Sequence, residues 1–154
     1  MTTEIRIERV LPATISRVYD AWTRADLMVR WYCPNPQLEL KVQADVRVGG
    51  EYVVEMGPHV VRGSYLEVEP PHRLVFSWAW DGSADEISRV QVDLSEVADG
   101  TLMILSHTGF ATAENAANHQ MAWEPELQRL SDLLAADAES RFVDSDRGEA
   151  PSSQ

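Results

Sequence analysis

The side chains best suited to acid–base or metal chemistry in this chain are its four histidines. His59 and His72 fall in turn-like stretches, His107 ends an alternating apolar run, and His119 lies in a helical stretch. Two histidines could in principle meet and bind one metal ion. However, no third ligand is spaced near either of them, and the sequence contains no HExxH or CxxC pattern. We therefore predict no metal site and no cofactor, and we interpret the histidines as hydrogen-bonded structural residues.

Cys33, the only cysteine, is the remaining candidate nucleophile. It begins CPNPQ, which its two prolines define as a loop. A nucleophilic cysteine needs a base and an orienting group, and the sequence specifies neither. GxSxG, phosphate-binding glycine loops and GxGxxG are also absent from the sequence. No active site emerges from these motifs, so our first prediction is a binding protein that is not an enzyme.

Aromatic side chains are the more informative set, because they recur on elements that should face one interior. An apolar pocket with a few polar tips is typical of a small-molecule site. The alternative is an ordinary, well-filled core. We predict a ligand-binding site formed by Trp31, Tyr52, Met56, Tyr65, Phe76, Trp78, Trp80, His107, His119 and Trp123.

Composition limits the classes of partner. The chain has 154 residues, a size typical of one domain, and a net charge of -12 with a pI of about 4.6. Such an acidic surface repels phosphate groups, so we expect no nucleic-acid partner. The N-terminal residues lack the pattern of a signal peptide, and no apolar run is long enough to span a membrane. A lone cysteine fits a reducing compartment, and we predict a cytoplasmic protein without membrane insertion.

Alternating apolar residues and turn residues define a sheet. Because the separators are short, neighbouring strands should be antiparallel. We predict strands at residues 4–10, 38–45, 51–57, 60–69, 73–80, 86–97 and 101–108.

The remaining periodic segments are helical. Thr14 or Ser16 begins a short helix to Thr23, and a second short helix runs from Asp26 to Trp31. A long helix extends from about residue 112 to 138, and residues 139–154 are predicted to be a disordered tail that follows one domain over 1–138. A seven-stranded sheet must curl to bury one face against a single long helix, so we predict an α+β fold with a curved antiparallel sheet.

The long helix contains one apolar stripe and one proline. The stripe is formed by His119, Trp123, Leu127, Leu130 and Leu134. We place Glu126 away from this stripe. Pro125 removes a backbone donor, which predicts a kink or break at residues 121–124. His119 and Trp123 would then border the pocket instead of lying deep in the leucine core.

Several segments together resemble the family of homologues of the activator of heat-shock-protein-90 ATPase, within the START/birch-allergen-like superfamily. They are RVLPATISRVYDAWTRADLMVRWYCP, DVRVGGEYVVEM, GSYLEVEPPHRLVFSWAW and GTLMILSHTGFATAENAANHQMAWEPELQRLSDLL. The resemblance covers about residues 4–137 and implies a helix-grip fold with a cavity between the sheet and the long helix. The family usually has Gly-Trp in this helix, where this chain has Ala122-Trp123.

Three functions follow as hypotheses. The first is non-enzymatic binding of a small hydrophobic or amphipathic ligand in the central cavity. The second, which the family name implies, is association with a chaperone in a stress response. The third is a polyketide-cyclase-like enzyme with His107 or His119 as general base. The oligomeric state stays open between a monomer and a homodimer.

Overall fold

The computed structural model describes residues 4–32, 39–80 and 87–149, with side chains described as far as residue 136. The CPNPQ loop with Cys33 and the DGSAD turn at 81–85 lie outside the described residues. The elements in chain order are β1 (Ile5–Leu11), α1 (Ile15–Thr23), α2 (Ala25–Met28), β2 (Leu40–Ala44), β3 (Glu51–Met56), β4 (His59–Glu69), β5 (Arg73–Trp80), β6 (Ser88–Val97), β7 (Gly100–Thr108) and α3 (Ala113–Glu149).

All seven strands form one antiparallel sheet in the order β1-β7-β6-β5-β4-β3-β2. After β1, the chain passes through α1 and α2 to the opposite edge and then returns strand by strand until β7 pairs with β1. The predicted α+β architecture, a curved sheet around a long helix, is confirmed. β1 and β2 are the two edges of this sheet.

The inner face of the sheet follows the predicted alternation. In β7, Met103, Leu105 and His107 are buried, whereas the intervening residues are half-buried. In β5, Phe76 and Trp78 are buried on the same face. These inward residues pack against α1 and the apolar stripe of α3, so one continuous core occupies the concave side of the sheet.

α3 differs from its prediction in two ways. It runs without interruption through Pro125, so the predicted break at residues 121–124 is wrong, although the proline still removes its backbone donor. A kink there stays a prediction. The helix backbone also continues past residue 138 to Glu149, through residues that include the good helix formers Glu and Arg. Disorder of residues 139–154 in solution stays a prediction.

Gly63 of β4 lies where β3, β4 and β5 approach one another closely. Tyr52 is its partner on β3, and the Tyr52 hydroxyl donates a hydrogen bond of 2.6 Å to the carbonyl oxygen of Ser77 on β5. A Cβ atom at Gly63 would overlap that same carbonyl oxygen and the Tyr52 ring. The close approach of three strands therefore requires glycine at this position.

We expect Gly63→Ala to destabilise the protein by about 1–3 kcal/mol, the usual effect of overpacking a well-packed site. The measurement is urea unfolding followed by circular dichroism. Ser64→Ala is the matched control, because it changes the neighbouring residue of β4 without adding a Cβ. Equal stability of the two variants would contradict this account of Gly63.

Candidate functional site

Aromatic rings from every layer of the fold meet on the concave side of the sheet. Trp22 of α1 is central: its ring centroid lies 4.8 Å from that of Trp31, 6.4 Å from Phe76 and 6.0 Å from Trp123. Tilted and edge-to-face pairs at such distances add about 0.5–1.5 kcal/mol each beyond area burial. The interior between sheet and α3 is therefore held together largely by ring contacts.

Tyr32, just after α2, extends this cluster to the other end of the interior. Its ring is stacked on Trp78 at 6.1 Å and meets Trp123 edge-on at 6.2 Å. Tyr52 and Tyr65 form a further pair at 5.6 Å. The rings surround a narrow gap that is too tight at every point for a water molecule. Its lining consists of Trp22, Met28, Tyr32, Tyr52, Tyr65 and Phe76.

His107 is the centre of a buried hydrogen-bond chain. Trp123 Nε1 lies 3.0 Å from His107 Nδ1, and Ser88 Oγ lies 2.7 Å from His107 Nε2. An indole N–H can only donate, so Nδ1 accepts and the ring proton sits on Nε2. Ser88 Oγ therefore accepts a hydrogen bond from Nε2–H of His107. Its own O–H donates a hydrogen bond of 3.3 Å to the carbonyl of Trp78. Both ring nitrogens are satisfied, which defines one neutral tautomer.

Burial and, to a smaller extent, the neighbouring His119 lower the pKa of His107 to about 3. Desolvation disfavours the charged imidazolium, and no anion faces the ring in the chain described above. His107 is therefore a neutral structural residue at physiological pH. This agrees with the interpretation of the histidines as hydrogen-bonded structural residues.

His119, which is half-buried, is the opposite neutral tautomer. Its Nδ1 lies 2.9 Å from the backbone carbonyl of Asn115, which can only accept, so Nδ1 carries the proton. Its Nε2 is then free to accept the indole N–H of Trp80 at 3.3 Å. Phe110 packs between the two histidines, with its ring 4.4 Å from His107 and 4.8 Å from His119. The lone pairs of His107 Nδ1 and His119 Nε2 thus each accept a hydrogen bond from one tryptophan.

Five polar atoms of buried residues have no hydrogen-bond partner in the described part of the chain. They are Tyr19 OH, Trp22 Nε1, Tyr32 OH, Trp78 Nε1 and Glu126 Oε1. A buried donor or acceptor without a partner costs about 1–3 kcal/mol, and native interiors contain few of them. Trp22 and Tyr32 line the gap, and the ring of Trp78 stacks on that of Tyr32.

Glu126 corrects the sequence prediction most directly. It was placed away from the buried stripe of α3, yet it is only 5% exposed. It follows Trp123 by three residues and precedes Leu130 by four, so helical spacing already puts it at the edge of the stripe. Burial raises the pKa of the Glu126 carboxyl well above its ordinary value, and the opposing effect of Arg129 is smaller.

Most predicted site residues meet, but in two groups instead of around one open cavity. Trp78, Trp80, His107, His119 and Trp123 form the group held by the histidines. The other group, beside the gap, contains Tyr52, Tyr65 and Phe76.

Three predicted positions differ from expectation. Trp123 does not border the space: it is buried in the core together with Leu127. Trp31 donates its indole N–H to the carbonyl of Ala21 at 2.9 Å and lies behind Trp22. Met56 is buried in the core but does not line the gap. The physical reason is that the large rings fill the concave side of the sheet.

Sequence reasoning omitted Trp22, Met28, Tyr32 and Glu126 from the site. Trp22 lies on the buried face of α1 together with Ile15, Val18 and Tyr19, a pattern that was visible in the sequence. The position of Tyr32 carried no such signal, because it depends on how the chain leaves α2.

Among the described residues, no three His, Cys, Asp or Glu side chains converge as metal ligands. Within the same residues, no helix is long and apolar enough to cross a membrane.

Comparisons with known proteins place this geometry in a family. Residues 12–135 match the family described as activator of Hsp90 ATPase homolog 1-like protein. The chain belongs to this family. The resemblance drawn from the sequence is thereby confirmed, as is the helix-grip fold. A search of curated proteins found no match.

Solved structures of other members of this fold agree with the Hsp90-activator-like assignment. Protein CV1439 from Chromobacterium violaceum is 26% identical with a TM-score of 0.76, and the alignment covers 87% of this chain and 98% of that one. CalU16 from Micromonospora echinospora is 28% identical with a TM-score of 0.69, covering 96% and 84%. The AHSA1 protein SPO3351 from Silicibacter pomeroyi is 24% identical with a TM-score of 0.72, covering 87% and 99%.

We expect His107→Leu to destabilise this Hsp90-activator-like domain by about 1–3 kcal/mol at neutral pH, because the indole N–H of Trp123 loses its acceptor. Urea unfolding monitored by tryptophan fluorescence measures the effect. His72→Leu is the control; His72 is exposed, so its replacement should change stability by less than about 0.5 kcal/mol. An equal effect of both changes would contradict a structural role for the His107 chain.

A comparison of the wild-type protein with His107→Leu also tests the lowered pKa of His107. The unfolded chain takes up a proton below about pH 6.5, whereas the folded one does so only near pH 3. The contribution of His107 is therefore complete above pH 6.5 and is lost as pH falls, by roughly 1.4 kcal/mol per pH unit. The stability gap between wild type and His107→Leu should shrink from pH 7 to pH 4. A constant gap would refute the neutral, buried state.

Glu126→Gln should show the opposite dependence. The raised pKa means that the protonated form stabilises the fold fully below about pH 4.5 and that this stabilisation is lost as pH rises. The variant, which cannot ionise, should gain stability relative to wild type between pH 4.5 and pH 7 in urea titrations. Glu124→Gln, on the exposed side of the same helix, should show no such trend. A flat difference for Glu126→Gln would mean that this carboxyl ionises freely.

Proposed function

We propose that this chain binds a small apolar or amphipathic molecule between its sheet and α3 without converting it. The observation that carries the proposal is the set of unpartnered polar atoms Trp22 Nε1, Tyr32 OH and Trp78 Nε1 among the aromatic rings of the described part of the chain. An interior selected only for stability would replace or satisfy such groups. A ligand with complementary polar atoms would satisfy them. The START-like helix-grip fold is often ligand-binding or polyketide-cyclase-like, which supports the same direction.

The gap must open to admit a ligand, because it does not admit even a water molecule, whereas ligand pockets typically measure roughly 300–1,000 Å³. The rings divide into two sets. Trp31, Tyr52, Trp80 and Trp123 are each held by a hydrogen bond. Within the described part of the chain, Trp22, Tyr32 and Trp78 make no hydrogen bond through their polar atoms.

Motion of the unbonded rings breaks ring contacts but no side-chain hydrogen bond. Tyr32 is the most favourable of them, since it lies beyond the end of α2, and the unbranched side chain of Met28 beside the gap can adapt to a new shape. We therefore place ligand entry at Tyr32 and Met28. Hydrogen-bonded Tyr52 would form a fixed wall of the gap.

Binding is tested by titrating single-ring and two-ring aromatic compounds and fatty acids while recording tryptophan fluorescence and thermal stability. We expect saturable binding and an increase in melting temperature for at least one class. Met28→Phe, which adds volume next to the gap, should weaken binding by roughly tenfold, equivalent to about 1.4 kcal/mol. Val29→Phe, which adds similar bulk at an exposed neighbouring position, is the control. Absence of binding by all classes, or equal binding by Met28→Phe, would overturn the proposed site.

The arrangement of the histidines counts against a cyclase that uses them as bases. A general base needs a free lone pair within reach of the substrate. The lone pair of His107 Nδ1 accepts from Trp123, and that of His119 Nε2 accepts from Trp80. Association with a chaperone stays a prediction from the family description, and a pull-down with a bacterial heat-shock-protein-90 homologue tests it separately.

A further inference from the structure

Tyr32 fills a site whose sides are three tryptophan rings. Its ring is stacked on that of Trp78, with the ring centroids 6.1 Å apart and the planes 20° apart. Trp22 and Trp123 meet the same ring edge-on, with centroid distances of 6.3 Å and 6.2 Å. Stacked and edge-to-face contacts are the two arrangements that aromatic pairs prefer. The three tryptophans therefore form a site for an aromatic ring, and Tyr32 occupies it.

The Tyr32 hydroxyl does not hold the ring in this site. The residue is 1% exposed, and its hydroxyl has no hydrogen-bond partner in the described part of the chain. A phenol that moves into solvent regains hydrogen bonds to water, so the departure of Tyr32 would remove one unsatisfied buried group. Trp123 differs, because its departure would break the hydrogen bond to His107. Tyr32 is therefore less costly to displace than the hydrogen-bonded rings.

The backbone of Tyr32 also permits displacement. Tyr32 follows the end of α2 at Met28, and its N–H donates a hydrogen bond of 3.0 Å to the Met28 carbonyl. Trp22 and Trp78 instead lie inside α1 and β5. Trp31 is anchored by the hydrogen bond of 2.9 Å from its indole N–H to a backbone carbonyl of α1. A movement of Tyr32 can therefore begin directly after an anchored residue and leave the sheet and the helices intact.

From these contacts, and resting on the proposed binding function, we infer that Tyr32 is a displaceable plug and that the ligand is a flat aromatic molecule. The ligand ring replaces the Tyr32 ring on Trp78, between the edges of Trp22 and Trp123. The neighbouring gap does not admit even water, so a ligand ring needs the volume that Tyr32 vacates. The unpartnered indole N–H groups of Trp22 and Trp78 favour a ligand that also carries a hydrogen-bond acceptor. No bond is made or broken in the ligand.

The ligand class is tested with three probes in isothermal titration calorimetry. Naphthylmethanol is flat and carries one hydroxyl oxygen. Its fully hydrogenated counterpart has the same carbon skeleton and hydroxyl but puckered rings, and a fatty acid serves as the third probe. Only the flat ring can stack on Trp78, so the wild-type protein should bind naphthylmethanol roughly tenfold more tightly than the hydrogenated compound.

Variants distinguish a plug from a wall of the site. Tyr32→Ala should bind naphthylmethanol roughly tenfold more tightly than the wild-type protein, because no ring has to leave before the ligand enters. Tyr32→Leu, which keeps more of the packing, should show a smaller gain. Tyr19→Ala is the matched control: Tyr19 is also buried and its hydroxyl also lacks a partner in the described residues, but it does not line the gap. Its affinity should equal that of the wild-type protein.

The displacement itself is measured in the wild-type chain by fluorine NMR after incorporation of fluorotyrosine. The Tyr32 resonance is assigned by its absence in Tyr32→Phe. Its shift between light and heavy water, which reports solvent exposure, should be small in the free protein and larger in the complex with naphthylmethanol. This measurement decides the inference even if Tyr32→Ala fails to fold.

The other outcomes separate the inference from the proposed function. Unchanged or weaker binding by Tyr32→Ala, an equal gain in Tyr19→Ala, or a Tyr32 ring that stays buried in the complex would overturn the inference and leave the binding function intact. Equal affinities for the flat and the hydrogenated probe, or binding of the fatty acid alone, would do the same. If the wild-type protein binds none of the probes, both are rejected, whether or not Tyr32→Ala binds them.

Discussion

The hydrogen bond from Trp123 to His107 is the interaction on which the interior depends. It joins α3 to β7 and orients an indole ring that contacts α1 through Trp22 and the inner face of β5 through Trp78. Because His107 donates a hydrogen bond from Nε2–H to Ser88 Oγ on β6, the ring has one tautomer and one orientation. A rotatable aromatic side chain at this crossing point would leave the helix free to pack in several ways; the bonded one favours a single packing.

Hydrogen bonds also separate the aromatic rings that are fixed from those that can move. Rings bonded through their polar atoms, such as Tyr52 and Trp123, resist rotation because a buried donor would lose its partner. Within the described part of the chain, the polar atoms of Trp22, Tyr32 and Trp78 have no hydrogen-bond partner, so these rings are held by packing. An interior of this kind is filled in the absence of ligand yet can open on one side. Filling and binding are therefore compatible properties of one interior.

Glu126 is the buried acid of α3. Burial raises the pKa of its carboxyl well above the ordinary value, because a charged carboxylate would lose its hydration. The unpartnered indole N–H groups of Trp22 and Trp78 can only donate. The unsatisfied polarity among the rings therefore includes hydrogen-bond donors.

The sequence by itself determined the elements and the inward faces. Period-two alternation in β5 and β7, turn residues between strands and the stripe on α3 depend only on local geometry, and all seven strands form where these patterns predict. The family resemblance added the helix-grip fold. The sequence prediction for Glu126 is wrong, because we placed it away from the buried stripe, although its spacing from Trp123 and Leu130 puts it at the edge of that stripe.

Only the tertiary structure decided which rings meet and which polar atoms find partners. Whether Trp123 lies at a rim or in the core depends on the path of α3, which stays continuous through Pro125 because packing against the sheet outweighs one missing backbone bond. The tautomer of His107 depends on the indole donor of Trp123, which lies 16 residues away in the chain, and the Trp80 donor that His119 Nε2 accepts lies 39 residues away. Hydrogen-bond partnership is a property of distance in space, and no local pattern in a sequence encodes it.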